Sequence, residues 1–117
     1  MNDLENLVKQ INEAGLAMVE AQLKASQLAD DEKNFLATLM SDLEKAIDEK
    51  TSETKLERMA RGSSEFRDYV RGRVLAQGEA QRLRVRYQSY QSLFEAKRSE
   101  LALEREKISK GIFSQGG

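Results

Sequence analysis

The chain has 117 residues, which is enough for one domain with one hydrophobic core. It contains no proline, cysteine or histidine, which excludes a disulfide framework, cysteine or histidine metal sites and catalysis by either residue. With 33% charged and only 6% aromatic residues, the composition favours helices over sheets, and the net charge of −1 conceals an asymmetry: residues 1–54 sum to −7 and residues 55–98 to +6.

Residues 3–28 are predicted to form the first helix. Asn2 with Glu5 three residues later resembles a capping pair for the first free backbone amides. Apolar side chains then recur at alternating steps of three and four, the spacing of a coiled-coil seam. Gly15 lies inside this helix at a cost of about 1 kcal/mol, which does not end it. The seam positions are Leu4, Leu7, Ile11, Ala14, Met18, Ala21, Ala25 and Leu28.

Residues 31–61 are predicted to form a second helix, with Asp30 or Asp31 as its N-cap. Its wide apolar stripe suits packing on two neighbours. The apolar face is lost between residues 48 and 54, where Thr54 and Glu57 could form a new capping box. We expect a continuous helix, with a break near residues 50–54 as the alternative. The stripe comprises Phe35, Leu36, Leu39, Met40, Leu43, Ala46 and Ile47.

The third predicted helix, residues 64–110, is one uninterrupted rod of about 70 Å. Gly62 is expected in the left-handed C′ position before it, followed by a serine N-cap. Lys110 and Gly111 are expected to end the helix, with Ile112 and Phe113 folding back as in a Schellman motif and a flexible tail over residues 114–117. A heptad seam runs along this helix, with polar breaks at Arg73, Lys97 and Glu104.

These elements predict an all-α fold: an elongated antiparallel helical hairpin or three-helix coiled-coil-like bundle, in one domain spanning residues 1–117. The seam of the third helix is longer than the other helices can cover, so we expect a homodimer or small homo-oligomer. The polar breaks would then fix register and partner choice. The side chains expected to pack along the seam are Phe66, Tyr69, Leu83, Tyr87, Tyr90, Phe94, Leu101 and Ile108.

Five arginines, Arg67, Arg71, Arg82, Arg84 and Arg86, are the candidate binding residues. Arginine beside aromatic rings is typical of nucleic-acid surfaces. The nearby aromatic residues also fit the seam, however, and the arginines would then form a solvated face. Like charges spaced four residues apart need an anion opposite, which the chain's acidic half, a second subunit, an acidic partner or a phosphate backbone could supply. Neutralisation by the chain's own acids is the simplest of these.

Other kinds of site find little support in the sequence. The acidic cluster at residues 30–32 lacks the spaced ligands and the glycine of an EF-hand loop, and no glycine-rich phosphate loop occurs. Because the sequence offers no nucleophile paired with a general base, we expect no catalysis. We also expect no cofactor, no metal and no small-molecule substrate. No stretch of eighteen apolar residues and no leader-like N-terminal segment is present, so a soluble cytoplasmic protein without membrane contact is expected.

Four stretches between about residues 55 and 107 carry a resemblance: Leu56-Glu-Arg-Met-Ala-Arg, Phe66-Arg-Asp-Tyr-Val, Arg84-Val-Arg-Tyr-Gln and Phe94-Glu-Ala-Lys-Arg-Ser-Glu. This part of the chain resembles small all-helical accessory proteins of phage and prophage recombination or replication modules. The resemblance implies an accessory protein that works near DNA transactions or against a host machine. It carries over no functional residue.

Three hypotheses for function follow. The first is a non-enzymatic protein–protein interaction protein, an adaptor, inhibitor or chaperone-like accessory factor that acts through long charged helices. The second is a nucleic-acid-binding accessory factor that uses the arginines. The third is an architectural coiled-coil spacer.

Overall fold

The computed structural model describes residues 3–116, with side chains described for residues 3–111. This part of the chain is 93% helical and contains no strand. It forms α1 (Asp3–Ala46), α2 (Glu53–Arg61) and α3 (Ser64–Gly116). The predicted all-α fold with a long C-terminal helix is confirmed. None of the described helices has a segment long and apolar enough to cross a membrane.

The chain divides into two compact units. Unit 1 contains Met1–Met18 and Arg82–Gly117, and unit 2 contains Val19–Gln81. In each unit α1 packs against α3 in the antiparallel direction, because α1 residues of increasing number contact α3 residues of decreasing number. In unit 1, Asp3 pairs with Lys97, whereas Gly15 faces Tyr87.

α1 is one helix from Asp3 to Ala46, so the predicted join at residues 29–32 and the N-cap at Asp30 or Asp31 are wrong. The physical reason lies in the seam, whose spacing continues without interruption through Leu28, Glu32 and Phe35. Arg73 of α3 neutralises Glu32, so the polar residue does not interrupt the packed face. Tertiary packing therefore outweighs the local preference of aspartate for a helix start.

The helix break lies at residues 47–52 instead, so the expected continuous helix over residues 31–61 is wrong. The alternative of a break is correct, although the break begins earlier than residues 50–54. Ile47 N–H donates the final α1 bond to the Leu43 carbonyl at 3.1 Å. Ser52, rather than Thr54, caps α2, since its hydroxyl accepts from Lys55 N–H at 3.3 Å. Residues 48–50 offer no apolar side chain to a neighbour, so no burial offsets the cost of ordering another helical turn.

The turn between α2 and α3 is closed by Ser63. Its hydroxyl donates to the Ala60 carbonyl at 2.6 Å and accepts from Phe66 N–H at 3.2 Å, which makes it the predicted serine N-cap. Gly62 has φ −85° and ψ −5°, a right-handed conformation, so the expected left-handed C′ glycine is wrong. Only Gly62 and Ser63 separate α2 from α3, and Gly62 itself keeps right-handed helical angles.

α3 does not end at Lys110 but continues through Gly116, so the expected C′ glycine at position 111 is also wrong. A glycine in a helix interior costs about 1 kcal/mol, and this cost does not stop the helix. Lys110 Nζ pairs with Glu106 Oε1, one turn earlier on α3, at 3.2 Å. Residues 114–116 are helical where a tail was expected, whereas the side chains of residues 112–116 and all of Gly117 lie outside the described part.

Unit 2 has two buried clusters. Ala25 of α1 packs with Ala76 and Ala80 of α3, whose small side chains let the helices approach closely. Leu36, Ala60 and Phe66 form the second cluster, with one residue from each of the three helices. α2 therefore completes a three-helix arrangement in this unit.

Unit 1 contains only parts of α1 and α3. Leu7 and Ala14 are its buried apolar residues among those described. Gly15 lets the Tyr87 ring approach α1, since a Cβ at this position would lie 3.2 Å from Tyr87 Cε2. Lys97 Nζ lies 3.7 Å from the Asp3 carboxylate near the start of α1.

Candidate protein-interaction surface

The seam of α3 packs against α1 in unit 2 through Phe66 and Tyr69. Phe66 is buried. The Tyr69 ring stacks on Phe35, with centroids 4.4 Å apart, and its hydroxyl donates to the Leu28 carbonyl. Loss of solvent raises the pKa of Tyr69 above 10.0, and the charges of Asp31 and Glu32 raise it further while Arg73 opposes them. This tyrosine is a packing residue of the hairpin.

The polar break at Arg73 is satisfied within the chain. Arg73 Nε lies 2.6 Å from Glu32 Oε1, and Arg73 Nη1 donates to Gln77 Oε1 at 3.2 Å. The two charged side chains are 25% and 30% exposed, so water reaches them only partly. The acidic and basic halves therefore meet here, and Arg73 needs no external anion.

In unit 1 the seam is covered less completely. Its members up to residue 101 are half-buried, whereas Ile108 is 64% exposed. Residues 102–111 of α3 are all exposed. The half-buried members are Leu83, Tyr87, Tyr90, Phe94 and Leu101.

Two open grooves follow the flanks of the helix pair in unit 1. Groove A consists of depressions of about 250 Å³ and 280 Å³ that share Gln10, and groove B is a depression of about 310 Å³. Groove A is lined by Asp3, Asn6, Leu7, Gln10, Glu13, Ala14, Ala17, Leu83, Arg86, Tyr90, Leu93 and Lys97. Groove B is lined by Val8, Ile11, Asn12, Gln91, Phe94 and Glu95.

Large apolar side chains remain accessible to water at both grooves. Leu93 of groove A is 52% exposed, and Val8 of groove B is 44% exposed. In unit 2, by contrast, α2 inserts the buried side chains of Leu56 and Ala60. The described part of unit 1 thus has the form of a helical bundle without a third helix.

The predicted arginines do not form a single surface. All five are exposed. Residues two apart on a helix point about 200° apart, so Arg84 lies on the other side of α3 from Arg82 and Arg86. Arg86 lies over the Tyr90 ring at 5.8 Å, whereas Arg67 donates to the Gly62 carbonyl at 3.2 Å.

Arg67 and Arg71 belong to unit 2, one turn apart on α3, and the other three arginines belong to unit 1. The structure therefore places Arg67 with Arg71, and Arg82 with Arg86, in two separate pairs. Arg82 also interacts with another group of the protein, so it is not a free cation. Tyr90 is half-buried beside Arg86, so its ring is only partly open to a nucleic-acid base.

Sequence reasoning missed Glu32 and the groove residues Val8 and Leu93. Glu32 could have been found, because it lies four residues after Leu28 on the seam of the first helix. Val8 and Leu93 lie beside the seam rather than on it, so their accessibility depends on whether a third helix covers them. The acidic cluster at residues 30–32 lies inside α1, and no three acidic side chains among those described converge on a metal-sized site.

Comparison with known proteins adds no relative: no protein-family model, curated protein or solved structure matches the chain.

Proposed function

We propose that the protein is a non-enzymatic protein-interaction protein, an adaptor or inhibitor that receives a helix of another protein in groove A or groove B. The observation that carries this proposal is the uncovered helix pair of unit 1. An amphipathic helix that packs against two helices buries an apolar stripe, which is the contact that α2 makes in unit 2.

The chemistry of the grooves defines the partner. Their floors are apolar, with Leu7 in groove A and Ile11 and Phe94 in groove B. Charged residues of both signs line groove A, with Glu13 beside Arg86 in one depression and Asp3 beside Lys97 in the other. A partner helix in groove A would therefore present Leu, Ile or Phe at steps of three and four, flanked by residues of both charges, whereas groove B has Glu95 as its one charged lining residue.

The test uses charge substitutions at exposed groove positions. The full chain, Val8→Glu and Leu93→Glu are immobilised and exposed to an extract of the source cell, and captured proteins are identified. A partner that binds the wild type should be lost with the variant of the groove that it occupies, since an unpaired carboxylate would be buried against its apolar face. Circular dichroism confirms that each variant keeps its helices.

Leu75→Glu is the matched control, since Leu75 is 67% exposed in unit 2 and lines neither groove. It should retain the partner. Equal loss of the partner in all three variants, or its retention in all three, contradicts the proposal.

The nucleic-acid hypothesis predicts a different result. A titration with single- and double-stranded DNA at two salt concentrations should give affinity that falls steeply with salt and weakens in Arg82→Ala and Arg84→Ala. The separation of the arginines around α3 favours the protein partner. The resemblance to phage accessory proteins stays a prediction and is compatible with a protein that acts on a host machine.

We also propose that a second copy of the chain is among the partners, and that it contacts α3 beyond Leu101. The exposed residues Leu103 and Ile108 support this proposal.

A further inference from the structure

Unit 2 has a groove of its own, separate from grooves A and B. It has a volume of about 460 Å³ and lies between α1, the 47–52 segment and the start of α2. Its apolar lining consists of Ala37 and Met40 of α1 and Leu56 of α2. Leu56 is buried and Met40 is half-buried, so the floor of this groove is continuous with the core of unit 2.

Both charged residues that line this groove are acids, Glu44 on α1 and Glu53 at the first position of α2. Both are exposed, and no lysine or arginine lines the groove. The Thr51 hydroxyl, which also lines it, already donates to the Glu49 carbonyl at 3.2 Å. An occupant therefore meets an apolar floor and two negative charges at the rim.

We propose that this groove, referred to as the acidic groove, binds a basic amphipathic helix. Apolar residues of that helix pack on Met40 and Leu56, and lysine or arginine residues beside them pair with Glu44 and Glu53. Methionine suits such a surface, because its unbranched side chain adapts to anchors of different shape. The two carboxylates select the sign of the partner's charge and speed its association.

The probes for the test are synthetic peptides of 18 residues with one leucine stripe at helical spacing. One peptide carries lysine on its polar face, a second carries glutamate, and a third carries lysine but has serine in place of leucine. Fluorescence anisotropy with the full chain measures binding at low and moderate salt. Binding of the lysine–leucine peptide, at least tenfold tighter than that of either other peptide, is the expected result.

The variant Glu44→Lys/Glu53→Lys should weaken binding of the lysine–leucine peptide at least tenfold and should favour the glutamate peptide instead. Glu20→Lys is a matched control, since Glu20 is an exposed α1 acid in unit 2 that does not line the acidic groove. It changes the net charge in the same direction, and a doubled control, Glu20→Lys/Asp30→Lys, matches the full change. Binding that falls equally in the doubled control would show attraction to overall charge and overturn the proposal.

A second set of variants tests the apolar floor without reversing any charge. Met40→Ser, at a half-buried position, should weaken the lysine–leucine peptide, whereas Met59→Ser, at an exposed position outside the acidic groove, should not. Equal affinity for the serine-substituted peptide would overturn the proposal as well. Glu44 and Glu53 line neither groove A nor groove B, so Glu44→Lys/Glu53→Lys should still retain the partner captured by those grooves, and this proposal and the proposed function fail or succeed separately.

Discussion

At the scale of the residue, the contact between Arg73 and Glu32 explains how the acidic and basic parts of the chain coexist. Each residue is a polar position in an otherwise apolar seam, and the positive charge of Arg73 pairs with the negative charge of Glu32. Because the pair is half-shielded from water, it favours the one helix register in which the two side chains meet, as polar residues at coiled-coil core positions do.

A double-mutant cycle measures this contact. Arg73→Ala and Glu32→Ala should each destabilise the protein, and the double variant should be less destabilised than the sum, with a coupling energy of about 1 kcal/mol. Urea unfolding at low and high salt provides the free energies. Additive effects would contradict an energetic role for the pair.

Tyr69 provides a pH-dependent prediction. Its pKa is raised above 10.0 in the folded protein by loss of solvent and by Asp31 and Glu32, so folding favours the protonated hydroxyl. The stability from this group is fully present below pH 10 and is lost as the pH rises through the folded pKa.

Tyr69→Phe should therefore lower the melting temperature at neutral pH, because the bond to the Leu28 carbonyl is lost. The variant should also lose less stability than the wild type when the pH is raised above 10. Melting curves from pH 7 to 11 test both effects. Identical alkaline slopes for the two proteins would assign the slope to other groups.

Much of the seam could be predicted at this scale, because burial follows the steps of three and four. Phe66 of α3 and Leu7, Ala14 and Ala25 of α1 are buried at positions that the spacing identified. The partner of Arg73 could not be predicted with the same security, since 41 residues separate it from Glu32 and only the register of the folded hairpin joins them. Groove A and groove B depend on a missing third helix, which no local pattern encodes.

At the scale of the element, the start of α3 and its great length were predictable, whereas the boundary between α1 and α2 was not. A glycine and two serines stand at the start of α3, and this combination is typical of the end of one helix and the start of the next. Asp30 and Asp31 resemble a helix start, but the seam carries α1 through them. The real break contains no proline or glycine and follows from loss of the apolar face, which by itself specifies no residue.

Ser52 and Thr54 allow a direct test of where α2 begins. Ser52→Ala should destabilise the protein by about 1 kcal/mol, since the hydroxyl that accepts from Lys55 N–H is lost. Thr54→Ala should change stability by much less, because Thr54 is exposed inside the first turn of α2. Chemical unfolding of the two variants compares them. A larger loss of stability in Thr54→Ala than in Ser52→Ala would contradict this assignment and identify Thr54 as the N-cap of α2.

At the scale of the whole molecule, the two units differ in whether a third helix packs on α1 and α3. Unit 2 carries its own third helix, although Leu23 and Leu75 of this unit stay exposed. The described part of unit 1 has no third helix, and it exposes apolar side chains along both flanks and along α3 beyond Leu101. We expect self-association that rises with concentration in sedimentation experiments. Ile108→Glu should reduce it, because a charge replaces an exposed apolar residue of the seam.

Arg84→Glu serves as the control for that experiment, since Arg84 is exposed but lies outside the seam. It should leave the concentration dependence unchanged. A wild-type protein that sediments as a monomer at every concentration would contradict the predicted homo-oligomer and leave the binding of other proteins to be tested by the groove variants.

The hydrogen bonds of the Ser63 hydroxyl restrict which residues can replace this serine. It donates to Ala60 and accepts from Phe66 at once, which a carboxylate cannot do because it carries no proton to give. The Ser52 hydroxyl, by comparison, serves α2 as an acceptor from Lys55 N–H. In a saturation library scored for folding, position 52 should therefore admit aspartate as well as threonine, whereas position 63 should accept threonine and reject aspartate.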